Sequence, residues 1–322
     1  MKRTSASIDL GSHTARLFVA QYDKESATLR PLARKRAYTR LAEDFSLTGN
    51  RFIQPDALAR TKKVLVEFLE YLKKFDCDSV YAVATGVFRD APNGREALEY
   101  LMNATGLEAR IVTGAQEAML TSMGALNSLG MEKEGFVLFD LGGVSTEFVW
   151  GDPDDPDTSS VPIGCLSLTR EYIKSDPPAL AEMDSCSLFI DNALEGIFHD
   201  RASGYFRAIS LIGTGGTVTT LGAMKKHVNT TDLGPEMLNG TVIEKGFIES
   251  VFEKAAAVKT EQRSSFRGLD RERAGIIVAG MMAVLRIMGF FRAERLVVSM
   301  SDILEGVLLE QFRNGESAHP DF

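Results

Sequence analysis

Two stretches of the sequence repeat one pattern, an apolar strand, an Asp-Leu-Gly turn and a second strand, and this repeat constrains the fold most. The first stretch covers residues 7–19, and the second covers residues 139–150. A second pair of motifs follows in the same order, because residues 82–86 and 211–215 each form a short apolar segment ending in a small-residue turn. Self-similarity of this kind is typical of duplicated structural units. The order of the motifs therefore predicts two related domains.

The segments between these motifs have the apolar spacing of α-helices. A helix is predicted to start at Pro55, which the first helical turn tolerates, and to end near Phe75. A second helix is predicted from Gly114 through Leu126, and residues 274–288 predict a helix that is buried on most sides. Strands that alternate with helices indicate α/β domains whose helices cover the sheets.

The length of the chain also favours two domains, because 322 residues exceed one ordinary core. Gly130 and the charged segment beside it break the pattern, so we expect domains at residues 1–127 and 128–322. The C-terminal segment 305–322 either belongs to the second domain or joins the first. Residues 152–160, rich in Asp and Pro, are predicted to form a surface turn between strands. Two domains imply a cleft between them, which is the usual place for a small-molecule site.

Composition argues against several classes of protein. The net charge of −8 disfavours a nucleic-acid partner, and the longest apolar run ends at Arg286, before it is long enough to span a membrane. The 3 cysteines form no CxxC pair and the N-terminus has no apolar signal core, which together indicate a reduced, cytoplasmic protein. Walker and dinucleotide-binding motifs are missing from the sequence, and the 4 histidines lack zinc-ligand spacing.

Two clusters have alternative roles that the sequence leaves open. Five basic residues early in the chain form either a substrate rim or a solvated strand edge; they are Arg30, Arg34, Lys35, Arg36 and Arg40. Phe290 and Phe291, beside Arg292, form either the interface of a homodimer or the edge of a core.

Four turns combine glycine with small or hydroxyl-bearing residues, and such turns present several backbone N–H groups to an anion. They are residues 85–86 and the turns formed by Gly11, Ser12, His13 and Thr14, by Gly142, Gly143, Val144 and Ser145, and by Gly213, Thr214, Gly215 and Gly216. The last turn leads into a helical segment whose N-terminus would add its dipole. A single turn of this type is usually a plain hairpin, but its repetition in paired domains favours a phosphate site in the cleft.

Charged side chains beside these turns suggest metal-dependent phosphate chemistry. Asp9 and Asp140 end apolar strands, where a carboxylate is costly unless it is exposed or meets a cation, and Mg²⁺ is the natural partner. Each is alternatively an Asx-type turn residue. Glu117 begins a helix and either compensates the helix dipole or activates a water molecule. Arg89 either clamps a phosphate or forms a surface ion pair with Asp90.

Six motifs in this order together resemble the exopolyphosphatase and guanosine pentaphosphate phosphatase (Ppx/GppA) family, in its short form. They are residues 8–12, 84–91, 114–118, 140–147, 213–216 and 301–306. The resemblance covers nearly the whole chain and implies an α/β fold of two actin-like, ribonuclease H-like domains. It also implies release of terminal phosphate from polyphosphate or guanosine pentaphosphate, with Mg²⁺ or Mn²⁺ as cofactor and water as the nucleophile.

By this resemblance, Glu117 matches the base that activates water, and Arg89 matches the arginine that grips phosphate. Glu147 matches the second catalytic acid and, together with Asp9 and Asp140, would hold the metal ion. The glycine turns would bind phosphate oxygens. Their amides and the metal ion would then neutralise charge on the transferred phosphoryl group.

The sequence also departs from the family pattern. His13 stands where asparagine is usual, Val144 replaces a glycine, Gln116 replaces an acid, and Leu304 stands where arginine is frequent. Val144 matters most, because a β-branched residue resists a positive φ. Val144 and Gln116 leave open a sensor that binds polyphosphate or alarmone nucleotides without hydrolysis. The duplicated Asp-Gly turns leave open a kinase of the same superfold, which includes actin, sugar kinases and Hsp70.

Overall fold

The computed structural model describes residues 2–23, 25, 28–44, 49, 51–131, 135–152, 155–198, 210–229 and 234–314. The chain divides into two compact units. The first comprises residues 1–45, 49–125 and 302–322, and the second comprises residues 46–48 and 126–301. The C-terminal segment therefore groups with the N-terminal part of the chain.

The first unit contains a five-stranded sheet with the order β3-β2-β1-β4-β5. Its strands are β1 (Lys2–Leu10), β2 (Thr14–Asp23), β3 (Thr28–Tyr38), β4 (Ser79–Ala84) and β5 (Ala109–Ile111). β2 pairs antiparallel with both β1 and β3, whereas β4 pairs parallel with both β1 and β5. The central position of β1 places the turn that follows it in the middle of one sheet edge.

The helices of the first unit cover this sheet. They are α1 (Pro55–Leu72), α2 (Val87–Asp90), α3 (Gly94–Thr105), α4 (Gly114–Leu129, which continues into the second unit) and α12 (Ile303–Asn314). α1 begins at Pro55 as predicted, because proline at the first helical position sacrifices no intrahelical hydrogen bond. It ends at Leu72, after which the Phe75 N–H bonds the Leu72 carbonyl in a turn. The predicted start of α4 at Gly114 is also confirmed.

The second unit repeats the strand order of the first. Its strands are β6 (Phe136–Leu141), β7 (Thr146–Asp152), β8 (Asp155–Val161), β9 (Ser210–Thr214), β10 (Thr241–Glu244) and β11 (Arg295–Val298). The strands β8-β7-β6-β9-β11 have the order and the directions of β3-β2-β1-β4-β5, and β10 adds an antiparallel edge strand. The duplication predicted from the sequence is therefore present in the two sheets.

The helices of the second unit pack around a core that surrounds α11. They are α5 (Cys165–Tyr172), α6 (Leu180–Phe198), α7 (Gly216–Lys226), α8 (Pro235–Leu238), α9 (Lys245–Ala256), α10 (Thr260–Arg263) and α11 (Ile277–Phe290). Every residue from Ile277 to Val284 is buried, which confirms the prediction of a helix enclosed on most sides. Nowhere in the described part of the chain is a helix both long enough and apolar enough to cross a membrane.

Phe290 and Phe291 belong to the core edge of the second unit. Phe291 is buried and lies edge-on to Phe198, with ring centroids 5.1 Å apart, and Phe290 packs against the same cluster. Of the two alternatives left open by the sequence, the structure shows the core edge. The homodimer stays a prediction.

The prediction of a surface turn over residues 152–160 is wrong, because Asp155–Val161 form the strand β8. β8 lies at the edge of its sheet, and β7 is its one partner among the described strands. Pro156 is tolerated there because an edge strand has one side without a neighbouring strand, so a missing N–H breaks no ladder. The low strand propensity of Asp and Pro was thus overridden by an edge position.

Candidate active site

The Asp-Leu-Gly turns of the two units share one backbone geometry. The Gly11 N–H donates to the Thr14 carbonyl at 3.0 Å, and the Gly142 N–H donates to the Ser145 carbonyl at 3.0 Å. Each turn follows the carboxyl end of the strand that pairs both parallel and antiparallel with its neighbours, β1 in the first unit and β6 in the second. The repeated sequence motif is therefore a repeated structure.

Ser12 joins the two predicted phosphate turns of the first unit. The Val87 N–H donates to Ser12 Oγ at 3.0 Å. Gly86 has a φ of 47°, and a Cβ at this position would clash with Ser12 Oγ. Glycine is therefore required at residue 86 both for the backbone conformation and for space. The turns at residues 11–14 and 85–86 are in contact, as the phosphate-site hypothesis requires.

His13, which stands where the family has asparagine, anchors the chain that follows β3. Its carbonyl accepts hydrogen bonds from the Thr39 N–H at 3.2 Å and the Arg40 N–H at 3.0 Å. Its ring lies edge-on to Tyr38, with centroids 5.2 Å apart. The end of β3 is therefore attached directly to the first turn.

Asp9 is compensated by an arginine of the same unit. Arg16 Nη2 lies 2.7 Å from Asp9 Oδ2, Arg16 Nη1 forms an ion pair with Asp302, and Thr85 Oγ1 lies 3.4 Å from Asp9 Oδ1. Asp9 is only 4% exposed, and this burial raises the pKa of its carboxyl above the usual value, although Arg16 opposes the shift. Because Oδ2 already contacts a cation, the role of Asp9 as a metal ligand stays a prediction.

Arg16→Ala is expected to lower the free energy of unfolding by about 2 kcal/mol, because Asp9 and Asp302 would lose their shared cation inside the protein. The value is smaller than for a fully buried pair, since the Arg16 side chain is 23% exposed. Urea unfolding at neutral pH measures it. The control Lys73→Ala breaks the exposed pair with Glu70 and should change stability by less than about 0.5 kcal/mol. Equal stability of the two variants would contradict the assignment.

Arg89 and Glu117 form the most direct contact between predicted catalytic residues. Arg89 Nη1 donates to Glu117 Oε2 at 2.6 Å, and Arg89 Nε lies 3.4 Å from Asp90 Oδ1. Glu117 is 8% exposed and lies in the first turn of α4, whereas Arg89 lies in α2, directly after the turn at residues 85–86. The structure thus brings the proposed base and the proposed phosphate ligand into contact within one unit.

Gln116 explains why Glu117 is not needed as a helix cap. The Thr113 N–H donates to Gln116 Oε1 at 2.9 Å, and the Gln116 N–H donates to Thr113 Oγ1 at 3.2 Å. This reciprocal pair is a capping box, in which glutamine performs the same task as glutamate. The departure from the family pattern at Gln116 therefore leaves the start of α4 intact and Glu117 available for another role.

Val144 is accommodated without the strain expected from the sequence. It is not among the described non-glycine residues with a positive φ, and its side chain is buried. The backbone of Val144 packs tightly against Gly164. A Cβ at Gly164 would clash with the backbone of Val144 and the carbonyl of Gly143. The Gly143 carbonyl accepts a hydrogen bond from the Leu166 N–H at 2.8 Å. The valine therefore does not distort the second turn.

Glu147 is held inside the second unit by two hydroxyl groups. It is 1% exposed, and its Oε1 accepts hydrogen bonds from Ser145 Oγ and Ser160 Oγ, each at 2.8 Å. It lies opposite Asp140 in the β6–β7 pair. Sequence reasoning missed Ser160 because it assigned this segment to a turn. A prediction of an edge strand over residues 155–161, paired with β7, would have identified Ser160 as the residue opposite Glu147.

Asp140 and Gly215 bring together the two turns of the second unit. Gly215 has a φ of 92°, and a Cβ there would lie 2.9 Å from Asp140 Oδ1 and would clash with the Leu141 carbonyl. Gly213 and Thr214 are buried within β9, whereas Gly215 and Gly216 are partly exposed. Of the predicted turn at residues 213–216, only its second half is therefore placed to meet a ligand.

The carboxylates fit a hydrated cation better than a closed metal site. Across the described residues, no group of three or more His, Cys, Asp or Glu side chains is placed to hold a metal ion. Asp140 is partly exposed beside a turn with accessible amides. One such carboxylate, together with water and substrate phosphate, is the usual environment of Mg²⁺. The donor set therefore suits magnesium shared with a phosphate.

Arg273 is a residue of the site that sequence reasoning missed. Its guanidinium packs on Gly216, where a Cβ would clash with it, at the N-terminus of α7. Arg273 is 7% exposed, its Nε has no hydrogen-bond partner, and no described residue forms an ion pair with it. A cation buried near the positive end of a helix is costly unless an anion joins it. No local pattern in the sequence indicates this contact, because Arg273 lies far from Gly216 along the chain.

A profile of the Ppx/GppA phosphatase family matches residues 18–314. The chain belongs to this family. Exopolyphosphatase 2 of Mycobacterium tuberculosis is 31% identical over 317 residues, which cover 94% of this chain and 97% of that protein. The crystal structure of the Ppx/GppA family member of Aquifex aeolicus superposes with a TM-score of 0.80 at 29% identity, covering 99% of this chain and 100% of that chain. An exopolyphosphatase of Cytophaga hutchinsonii has the same fold, with a TM-score of 0.84 at 21% identity, covering 97% and 98% of the two chains.

Membership in the Ppx/GppA family confirms the resemblance drawn from the six motifs, and the two mixed sheets confirm the α/β fold class with two related units. It also confirms that the chain is a hydrolase. The roles of individual site residues stay predictions, which the contacts within each unit now make specific.

Proposed function

We propose that this Ppx/GppA family member hydrolyses the terminal phosphoanhydride bond of inorganic polyphosphate. The main support for the proposal is the hydrogen bond from Arg89 Nη1 to Glu117 Oε2, 2.6 Å long, which lies beside a glycine turn. A basic side chain that binds phosphate and an acid that accepts a proton from water are the two groups that this reaction needs. The relatedness to exopolyphosphatase 2 of Mycobacterium tuberculosis supports polyphosphate as the substrate.

In the proposed reaction, water attacks the terminal phosphorus and the bond to the bridging oxygen breaks. Glu117 accepts the proton of the attacking water, and Arg89 holds oxygens of the terminal phosphate through its planar fork. The amides of the turn at residues 11–14, in the same unit as Arg89 and Glu117, stabilise the negative charge that these oxygens carry. The products are orthophosphate and a polyphosphate shortened by one unit.

Magnesium is the proposed cofactor, and Mn²⁺ has the same ligand preference for oxygen. When bound, the ion would neutralise charge on the transferred phosphoryl group and orient it. Asp140 would be its principal protein ligand, with Asp9 and Glu147 as the other predicted carboxylates. Hydrogen bonds from the hydroxyl groups of Ser145 and Ser160 to Glu147 Oε1 hold this carboxylate in one orientation, which supports its proposed role.

Guanosine pentaphosphate is the second candidate substrate, because it ends in the same phosphoanhydride bond and the family includes phosphatases for it. The sensor and the kinase are not favoured. The sensor was suggested by Val144 and Gln116, and both residues are accommodated without damage to the turn or the helix start. The kinase lacks support because the profile that matches the chain describes phosphatases.

A phosphate-release assay tests the proposal. Purified protein is incubated with tripolyphosphate, long-chain polyphosphate and guanosine pentaphosphate, each with Mg²⁺, with Mn²⁺ and with EDTA. We expect release from polyphosphate with either metal and a loss of release in EDTA, because charge neutralisation dominates catalysis of this type. Binding of all three compounds without release would contradict the proposal, and release in EDTA would remove the metal from it.

A further inference from the structure

The edge strand β3 carries positive charge that the proposed catalytic roles do not use. Its sequence from Thr28 to Tyr38 contains four basic residues and no acidic residue. The strand lies at the edge of its sheet, and no strand among the described residues pairs with its outer side. The chain as a whole has a net charge of −8, so carboxylates for neutralisation are abundant elsewhere. Their absence from β3 is a local feature of the molecule.

Three of the four basic residues of β3 fall into two groups, and the fourth, Arg36, lies over the ring of Tyr38, 5.3 Å from its centroid. Arg34 forms an ion pair with Glu305 of α12 and lies over the ring of Phe18, 4.4 Å from its centroid, so it has a structural role. Arg30 and Lys35 are exposed, and no described acidic side chain pairs with either of them. These two residues are therefore available to a ligand.

Arg30 and Lys35 lie on the same face of the sheet despite their odd spacing. Arg30 is opposite Gln21 of β2, and Lys35 is opposite Leu17 of β2. Leu17 and Gln21 are an even number of positions apart, so they lie on the same face of β2. The register shift between Val19 and Ala20 accounts for the extra residue of β3. Side chains two or four positions apart on a strand point the same way, so the two cations line one surface.

A third cation joins this surface at the end of α1. Lys35 Nζ lies 3.8 Å from the centroid of the Tyr71 ring, and Lys74 Nζ lies 5.2 Å from the same centroid. The neighbouring Lys73 is paired with Glu70, whereas no described acidic side chain pairs with Lys74. Two ammonium groups that share one ring repel each other, and a polyanion would relieve this repulsion.

The surface leads to a predicted phosphate turn. β3 ends at Tyr38, and the next N–H groups, of Thr39 and Arg40, donate to the His13 carbonyl. From Arg30 to Tyr38 the strand spans about 25 Å, at roughly 3.3 Å per residue. A linear polyanion that lies along β3 would therefore extend to the turn at residues 11–14.

We propose that Arg30, Lys35 and Lys74 form an exosite that binds the distal part of a long polyphosphate chain. This inference rests on the proposed function and adds to it a preference for chain length. A long substrate occupies both the turn at residues 11–14 and the exosite, whereas tripolyphosphate reaches only the turn. Of the five early basic residues that the sequence analysis considered for a substrate rim, the proposal gives this role to Arg30 and Lys35.

The test compares the triple variant R30A/K35A/K74A with wild type on two substrates. We expect the KM for long-chain polyphosphate to rise about tenfold, because three screened charge contacts are lost, and kcat/KM for tripolyphosphate to change by less than about twofold. The dependence of the long-chain KM on salt concentration should also weaken in the variant. Lys254→Ala, an exposed lysine of α9, is the control and should leave both substrates unaffected.

The charge-conserving variant R30K/K35R/K74R should retain the wild-type KM for the long chain. This result would show that the alanine variant is impaired by the loss of charge and not by altered side-chain packing. Thermal unfolding confirms that the variants are folded. Equal long-chain KM values for wild type and the triple alanine variant would overturn the exosite while leaving the proposed function intact. If wild type hydrolyses no polyphosphate, a direct binding titration with the long chain decides separately: weaker binding by the triple variant supports the exosite, and equal binding overturns it.

Discussion

Glu117→Gln is expected to lower kcat for phosphate release by about 10²- to 10⁴-fold, the range that a general base contributes. The substitution keeps the shape of the side chain and an oxygen that can accept the hydrogen bond from Arg89. It removes the group that takes the proton of the attacking water. Because the phosphate ligands remain, the KM for tripolyphosphate should change by less than about threefold, a pattern that marks the loss of a transition-state interaction. Steady-state phosphate release measures both constants.

The matched control is Glu99→Gln, which neutralises an exposed acid on α3 of the same unit. It should leave kcat and KM near wild type, because an exposed charge contributes little at a distance through salt solution. If Glu117→Gln and Glu99→Gln both turn over at the wild-type rate, Glu117 is not the base. A loss of substrate binding in Glu117→Gln, with kcat retained, would instead assign Glu117 to positioning Arg89.

Gly306→Ala is expected to destabilise the protein by about 3 kcal/mol, the upper part of the range for overpacking. A Cβ at Gly306 in α12 would clash with the Leu120 carbonyl of α4, and a Cβ at Gly124 in α4 would clash with the Asp302 carbonyl. Backbone atoms cannot move aside as a flexible side chain can, so the helices would have to separate. Alanine gains about 1 kcal/mol over glycine in a helix, which does not offset this cost. Urea unfolding measures the change.

Gly196→Ala is the control, since Gly196 lies in α6 and a Cβ there meets nothing within 4 Å. It should leave stability unchanged or raise it by up to about 1 kcal/mol. Gly306→Ala should also reduce phosphate release from the folded fraction, because α4 carries Glu117 in its first turn. Wild-type stability of Gly306→Ala would show that the two helices can separate at no cost.

Much of the architecture could be predicted from local sequence. The duplication, the start of α1 at Pro55 and the burial of α11 follow from periodicity, glycine turns and proline geometry, which act over a few residues. Family membership followed from six motifs in order, because each motif is a short contiguous segment. The strand β8 was missed, since its composition favours a turn and only the neighbouring strand β7 makes it a strand.

The sequence by itself determined the duplication of the strand–turn–strand motifs, the positions of the glycine turns and the identity of the family. Only the tertiary structure decided which distant residues contact each other beside these turns. Arg16 pairs with Asp9 and Asp302, Ser160 donates to Glu147, and Arg273 packs on Gly216. The physical reason is the range of the interactions. Turn and helix preferences are set by neighbouring residues, whereas ion pairs and packing contacts join residues that only the folded sheets bring together.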